Sequence, residues 1–200
     1  MPTAMTGRLT MEPSRQLEEK ANRERELVLR FIQGDGSVFD AIVSEYQPRV
    51  TGLAYRLLGW TADVEDVVQE VFLAVYRHLG RFRGESSMKT WITTITVNKC
   101  RSWRRKQLLK LKLLQQAGEK PVAVAAADER MMDQETLGQV REALLGLPGR
   151  YREVVVLHYL ESMGIAEIAE VLNLTRNAVD VRLSRARAQL KAKLADLICL

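Results

Sequence analysis

His78 and His158 are the first residues to test for chemistry in this 200-residue chain. Neither stands at metal-ligand or catalytic-triad spacing from a suitable partner, and no glycine-rich phosphate loop is present. Cys100 and Cys199 are far apart and read as free thiols of a reducing cytosol. An enzyme, a metal site and a bound cofactor are therefore all disfavoured. What remains is recognition by charge. Lys99 to Lys112 holds seven basic residues and no acid, and Arg182 to Lys193 holds five and no acid. Asp63 to Glu70 holds four acids and no base. Two cationic blocks and one anionic block imply more than one kind of partner.

The second cationic block lies on a patterned helix. In "GIAEIAEVLNLTRNAVDVRLSRAR", Gly164 can cap a helix with Glu167 in the capping-box position, and Thr175 can cap the next. Val179, Leu183, Ala186 and Leu190 form an inner stripe. The opposite face carries Asn177, Val181, Ser184 and Ala188, flanked by Asp180 and Arg185, with Arg176 and Arg187 nearer one edge. Two short helices, a tight turn and a basic second helix fit a helix-turn-helix. Small residues at the centre of the outer face allow approach to a major-groove floor, and flanking arginines suit phosphates. A solvated amphipathic helix is the alternative. The absence of any acid between Asp180 and Asp196 weighs against it.

The anionic block opens "DVEDVVQEVFLAVYRHL". Val64, Val67, Val68, Val71, Phe72, Val75 and Leu79 form its core stripe, while Asp63, Asp66, Glu70 and Arg77 gather opposite, with Leu73 among them. Acids at a helix start suit the macrodipole, but a leucine between carboxylates suits a protein interface equally well. The first cationic block closes "SSMKTWITTITVNKCRSWRRKQLLKLK". Thr90, Trp91, Thr94 and Asn98 crowd its N-terminal half after a cap at Ser86 or Ser87. Polar groups beside an aromatic suit an unstacked base, and the following cations suit the backbone leading to it. Trp91 and Trp103 as plain core residues are the competing reading.

These segments need helices to hold them, and the 3.6-residue period runs through nearly the whole chain. The expected fold class is all-α: two small helical domains joined by a flexible linker. A disordered tail is expected over residues 1–20, with the start codon open between Met1, Met5 and Met11. The first domain is expected over 21–114, with helices near Glu26–Gln33, Ser37–Leu58, Asp63–Leu79 and Met88–Leu114. Thr61 is a candidate cap for the third. The linker covers 115–133, where Pro121 and an alanine-rich run interrupt the pattern. The second domain covers 134–200, with helices near Gln134–Leu145, Arg150–Leu160, Ile165–Leu172 and Arg176–Leu197, and its helix-turn-helix spans about 164–185. "EVVVLHYL" at Glu153–Leu160 has strand-like residues but sits inside a helical period. No apolar run approaches the roughly 20 residues needed to span a bilayer, and no signal-peptide core is seen at the N-terminus.

Taken in order, the motifs resemble those of bacterial RNA polymerase sigma factors of the sigma-70 family, extracytoplasmic-function type. "GDGSVFDAIVSEYQPRVTGLAYRLLG" resembles that family's opening segment. "DVEDVVQEVFLAVYRHLGRFRGESSMKTWITTITVNKCRSWRRK" resembles region 2, and "LLGLPGRYREVVVLHYLESMGIAEIAEVLNLTRNAVDVRLSRARAQLK" resembles region 4. The resemblance covers about Arg23 to Lys193 and implies a role for each patch. Asp63, Asp66, Gln69, Glu70 and Leu73 would dock on the β′ clamp helices of core RNA polymerase. The second domain would meet the β flap. Arg83, Glu85, Ser86, Ser87, Lys89, Thr90, Trp91, Thr94 and Asn98 would capture an unpaired base of the −10 element. Arg101, Arg104, Arg105 and Lys106 would follow the phosphates. Arg176, Asn177, Asp180, Val181, Ser184 and Arg185 would read the −35 element.

The resemblance further implies an anti-sigma partner, a cytoplasmic location, and no catalytic residue or cofactor. The sequence departs from the pattern at Ser102, where an aspartate is common, and at Gly164, where a serine is frequent. It departs also at Asp180 and Val181, where a basic residue and a serine are often found. An aspartate at 180 could accept from cytosine N4 or repel a phosphate. A stand-alone helix-turn-helix regulator with an N-terminal helical sensor is the alternative. It would bind duplex tightly by itself and be indifferent to Asp66 and Leu73.

Overall fold

The computed structural model describes residues 12–59, 63–116 and 134–198. These residues form α1 (Glu12–Ile32), α2 (Ser37–Leu58), α3 (Val64–Leu79), α4 (Met88–Gln116), α5 (Gln134–Leu145), α6 (Gly149–Val155), α7 (Ile165–Leu172) and α8 (Arg176–Ile198). No strand occurs among the described residues. "EVVVLHYL" is helical, but not uniformly α: Val156–Leu160 widens into a π-helical turn after α6. The expected tail is corrected at one point. Residues 12–20 belong to α1 rather than to a disordered end. Glu, Gln, Lys and Arg are strong helix formers, and the few apolar residues among them keep the helical spacing, so α1 extends well before Glu26. Of the linker expected over 115–133, residues 115 and 116 belong to the end of α4, and 117–133, like the candidate cap Thr61, lie outside the described residues.

In the first unit α2, α3 and α4 pack around Ile42, Leu53, Leu57, Val64, Val71, Leu79, Met88 and Ile92, and α1 lies on α2. The helix ends explain the chain's turns. Gly59 ends α2 at φ +86, and its N–H donates to the Tyr55 carbonyl (2.9 Å), a conformation that favours glycine. Ser87 caps α4, accepting from the Thr90 N–H at 3.1 Å. The Met88 N–H at the same end donates to the buried carboxylate of Glu24 on α1, at 3.0 Å. In the second unit the Gly164 N–H donates to Glu167 (2.9 Å), Asn173 closes α7 in the left-handed region, and Thr175 accepts from the Ala178 N–H (3.2 Å). These bonds fix the tight turn between α7 and α8 expected of a helix-turn-helix.

The two units share a core. Val97 and Cys100 on α4 belong to the same buried cluster as Val154, Leu157, Ile168 and Leu172. Arg152 crosses between the units: it donates to the Leu57 carbonyl at the end of α2 (2.8 Å) and to the carbonyls of Leu144, Leu145 and Leu147. Burial, then the neighbouring Arg104 cation, pull its pKa below the ordinary arginine value.

Candidate nucleic-acid interface

α8 divides as its residue pattern predicts. Val179, Leu183 and Ala186 are buried against α6 and α7, and Leu190 is half-buried. Arg176, Asn177, Asp180, Val181, Ser184 and Arg185 are all exposed. The helix therefore presents a face with alanine and serine at its centre and charge at its edges, the shape a major groove accepts.

α3 likewise buries Val64, Val67, Val68, Val71, Phe72, Val75 and Leu79. Asp66, Gln69, Glu70 and Leu73 are exposed, Leu73 by 54%, and Asp63 is half-buried. Tyr76, also 54% exposed, lies three residues beyond Leu73 and so on the same face. It rests edge-on against Phe31 and Phe39, with ring centroids 5.4 and 5.1 Å away. Sequence reasoning missed Tyr76 because its apolar contacts come from α1 and α2. Glu70 is answered from α4 by Lys99 at 3.1 Å, so the acidic face of α3 adjoins the cationic edge of α4.

At the start of α4 the expected residues separate into two groups. Arg83 and Glu85 are exposed and pair loosely at 3.8 Å. Ser86, Lys89, Trp91 and Thr94 are half-buried, and Asn98 is exposed. Trp91 packs tilted on Phe82, centroids 5.2 Å apart. These residues outline one rim. Thr90 is not on it: its side chain is buried, and its hydroxyl lies 2.9 Å from that of Ser87. Thr94 donates its hydroxyl to the Thr90 carbonyl at 3.0 Å. Ser87 and Thr90 thus hold the helix start, and beside it Lys89 is half-buried while Trp91 packs partly on the core. Arg105 is exposed, whereas Arg101 and Arg104 turn to Glu153 of α6.

Residues 42–108 match the family described as sigma-70 region 2, and residues 137–190 match sigma-70 region 4. The extracytoplasmic-function (ECF) RNA polymerase sigma-E factor of Haemophilus influenzae is 31% identical over 184 residues, covering 88% of this chain and 97% of that protein. The chain is an extracytoplasmic-function sigma factor. The ECF RNA polymerase sigma factor SigW of Bacillus subtilis is 29% identical over 174 residues, covering 82% of this chain and 93% of its own. CnrH, solved in complex with the cytosolic domain of CnrY, superposes with a TM-score of 0.64 at 28% identity, over 86% of this chain and 97% of that one. RpoE of Bartonella quintana, solved with the anti-sigma factor NepR, shares the fold at a TM-score of 0.64 and 24% identity, over 78% and 96% of the two chains.

In this sigma factor one edge of the exposed face of α8 lies against α6. Arg185, and then Arg150, hold the Tyr151 hydroxyl below its ordinary pKa, and the Arg150 guanidinium sits 4.9 Å from the Tyr151 ring centre. Arg150 and Tyr151 were not legible as site residues, since their approach to Arg185 depends on how α6 packs on α8. Arg185→Ala is expected to weaken promoter binding by about 1–3 kcal/mol where it reads a base. If it meets phosphate alone, the loss is similar across sequences and the salt dependence becomes shallower. Binding titrations of the holoenzyme on several promoter variants over a salt series distinguish the two. An unchanged affinity and slope would remove Arg185 from the interface.

Cys100 is buried where the units meet, and burial pushes its thiol up to about 12 from the ordinary 9.0. It is expected to resist maleimide in the folded protein at neutral pH and to react once the chain is denatured, read by peptide mass spectrometry. A raised folded-state pKa also fixes the sign of its pH effect. The contribution of the neutral thiol is complete below about 9 and lost between about 9 and 12, where only the unfolded chain ionises.

The sigma factor also depends on Glu24, which no sequence motif marked. Glu24→Ala leaves the Met88 N–H unsatisfied at the start of α4. It is expected to lower stability by about 1–2 kcal/mol in thermal melts.

Proposed function

We propose that three faces of this promoter-specificity subunit divide the work of initiation. The face Asp63, Asp66, Gln69, Glu70 and Leu73 docks on the β′ clamp helices of core polymerase. The rim Arg83, Glu85, Lys89, Trp91, Thr94 and Asn98 takes an unpaired non-template base of the −10 element, with Ser86, Ser87 and Thr90 holding that rim in shape. Arg101, Arg104 and Arg105 follow the strand's phosphates, and the outer face of α8 reads the −35 element. Residues 21–114 and 134–200 act as the two working domains, the second also meeting the β flap. The chemistry of RNA synthesis stays with the polymerase, which supplies every catalytic group.

The observation that carries this division is the exposure of Leu73 inside an acidic helix face. An exposed apolar side chain beside Glu70 and Tyr76, at the end of an acidic stretch, suits a basic, partly apolar protein surface and is a poor fit to DNA. The CnrH and RpoE relatives were solved with CnrY and the anti-sigma factor NepR, which supports an anti-sigma partner here. No described helix is long and apolar enough to cross a membrane. The reading places the protein in the bacterial cytoplasm, controlling a stress- or envelope-type regulon. Run-off transcription with core polymerase on genomic fragments tests it. Discrete transcripts that depend on the protein are expected, and absence of core binding would overturn the reading.

A further inference from the structure

Four arginines of the first unit meet two carboxylates of the second. Glu153 on α6 is 3% exposed and accepts from Arg101 through Nε (3.1 Å) and Nη2 (2.7 Å), and from Arg104. Glu161, 6% exposed, lies just past the π-helical turn. It accepts from Arg56 and has Arg49 Nη2 at 2.6 Å, a contact without hydrogen-bond alignment. The cluster is not neutral: four guanidinium groups face two carboxylates. A fork of guanidinium nitrogens around a pair of oxygens is also how arginine binds phosphate.

The backbone is shaped to deliver both carboxylates. Residues eight apart on an α-helix diverge by about 80°. The wider turn over Val156–Leu160 advances each residue by a smaller angle and offsets that divergence, so Glu153 and Glu161 address the same unit. Ser162 then takes a left-handed φ of +53, which a serine adopts only under constraint.

We propose that Arg49, Arg56, Arg101 and Arg104 form a shared docking surface. In the free protein it is closed by Glu153 and Glu161 of the same chain, and it becomes available to single-stranded DNA phosphate when the units part. The proposal rests on the reading of Arg101 and Arg104 as strand contacts. Those two guanidinium groups cannot serve Glu153 and a phosphate at once, so the closed form has lower affinity for the strand. Exchanging a carboxylate for a phosphate keeps each arginine paired, which lets closure be reversible although the pairs are largely buried. Arg105, exposed on the same helix, offers a first contact from which the exchange can begin.

The test uses the full chain without polymerase. Glu153→Gln/Glu161→Gln preserves side-chain shape and removes the two charges. Glu26→Gln/Asp40→Asn removes the same charge from exposed positions as a control. Small-angle scattering reads the separation of the units, and anisotropy reads binding of a short dye-labelled single-stranded oligonucleotide of mixed sequence. The first variant is expected to have a larger radius of gyration than wild type and to bind the oligonucleotide about tenfold more tightly than the control. An unchanged radius, or binding no tighter than the control, overturns the proposal. Should the double variant lose helix by circular dichroism, Glu161→Gln alone takes its place and must show the same two changes in smaller degree. Failure of the underlying reading shows elsewhere: Arg101→Ala/Arg104→Ala would then leave the promoter affinity and salt slope of the holoenzyme unchanged.

Discussion

Asp66→Arg combined with Leu73→Glu is expected to abolish holoenzyme assembly while leaving the fold intact. Both residues are exposed, so neither change disturbs the buried stripe of α3. Surface substitutions of this kind normally shift stability by less than about 0.5 kcal/mol. The cost at an interface is larger. Leu73→Glu forfeits an apolar anchor and buries a charge in its place, and Asp66→Arg turns a complementary contact into like-charge repulsion. Together these predict a loss of core affinity of about 100-fold or more. Native gel shift or surface binding against core polymerase measures the affinity, and a thermal melt measures the fold. Assembly at wild-type affinity would place the polymerase contact elsewhere. A melt depressed by several degrees would mean that the face supports the fold.

How far the sequence could be read depended on whether a feature was local. The helix-turn-helix was legible because its determinants lie within a few residues of one another: Gly164 with Glu167, Thr175 with Ala178, and the stripe Val179, Leu183, Ala186. The limits of α2, α5 and α7 were legible for the same reason, each being framed by turn residues. The early start of α1 was not, because apolar residues are sparse among its charged ones, so its first turns resemble a solvated tail although their residue types favour helix. The π-helical turn was also hidden, since an apolar run such as "VVVLHYL" satisfies an α period and a π period almost equally over one turn.

At the site, legibility failed wherever a residue's role depends on the other unit. Arg101 and Arg104 could be recognised as cations on a helix, but their partner Glu153 is about 50 residues away across the linker. A weaker signal did exist. Glu153 stands directly before three valines, and a carboxylate in so apolar a setting needs a charged partner if it is buried. Thr90 shows a local constraint instead. Its polarity and place suggested a base contact, yet the helix start uses its hydroxyl first.

Arg152 provides the second large effect, and its origin is again at the junction. Its guanidinium donates to Leu57 on the first unit and to Leu144, Leu145 and Leu147 around the α5–α6 turn. Those three carbonyls lie at a helix end and the turn after it, where no intrahelical donor can reach them all. Arg152 therefore does for this turn what a glycine motif does at other helix ends. Arg152→Met keeps most of the apolar stem but leaves four carbonyls without this donor. Hydrogen bonds from a charged group contribute about 1.5–3 kcal/mol each, but they are not additive, and water can satisfy those nearest the surface. The expected loss is about 3 kcal/mol in denaturant unfolding. The location of the bonds makes a further demand. Because one bond crosses to Leu57, the substitution should loosen the units as well as the α5–α6 turn, exposing Cys100 to maleimide at neutral pH. A loss of stability with Cys100 still protected would confine Arg152 to the second unit. Faster labelling of Cys100 would show that one side chain couples the turn before α6 to the seam between the units.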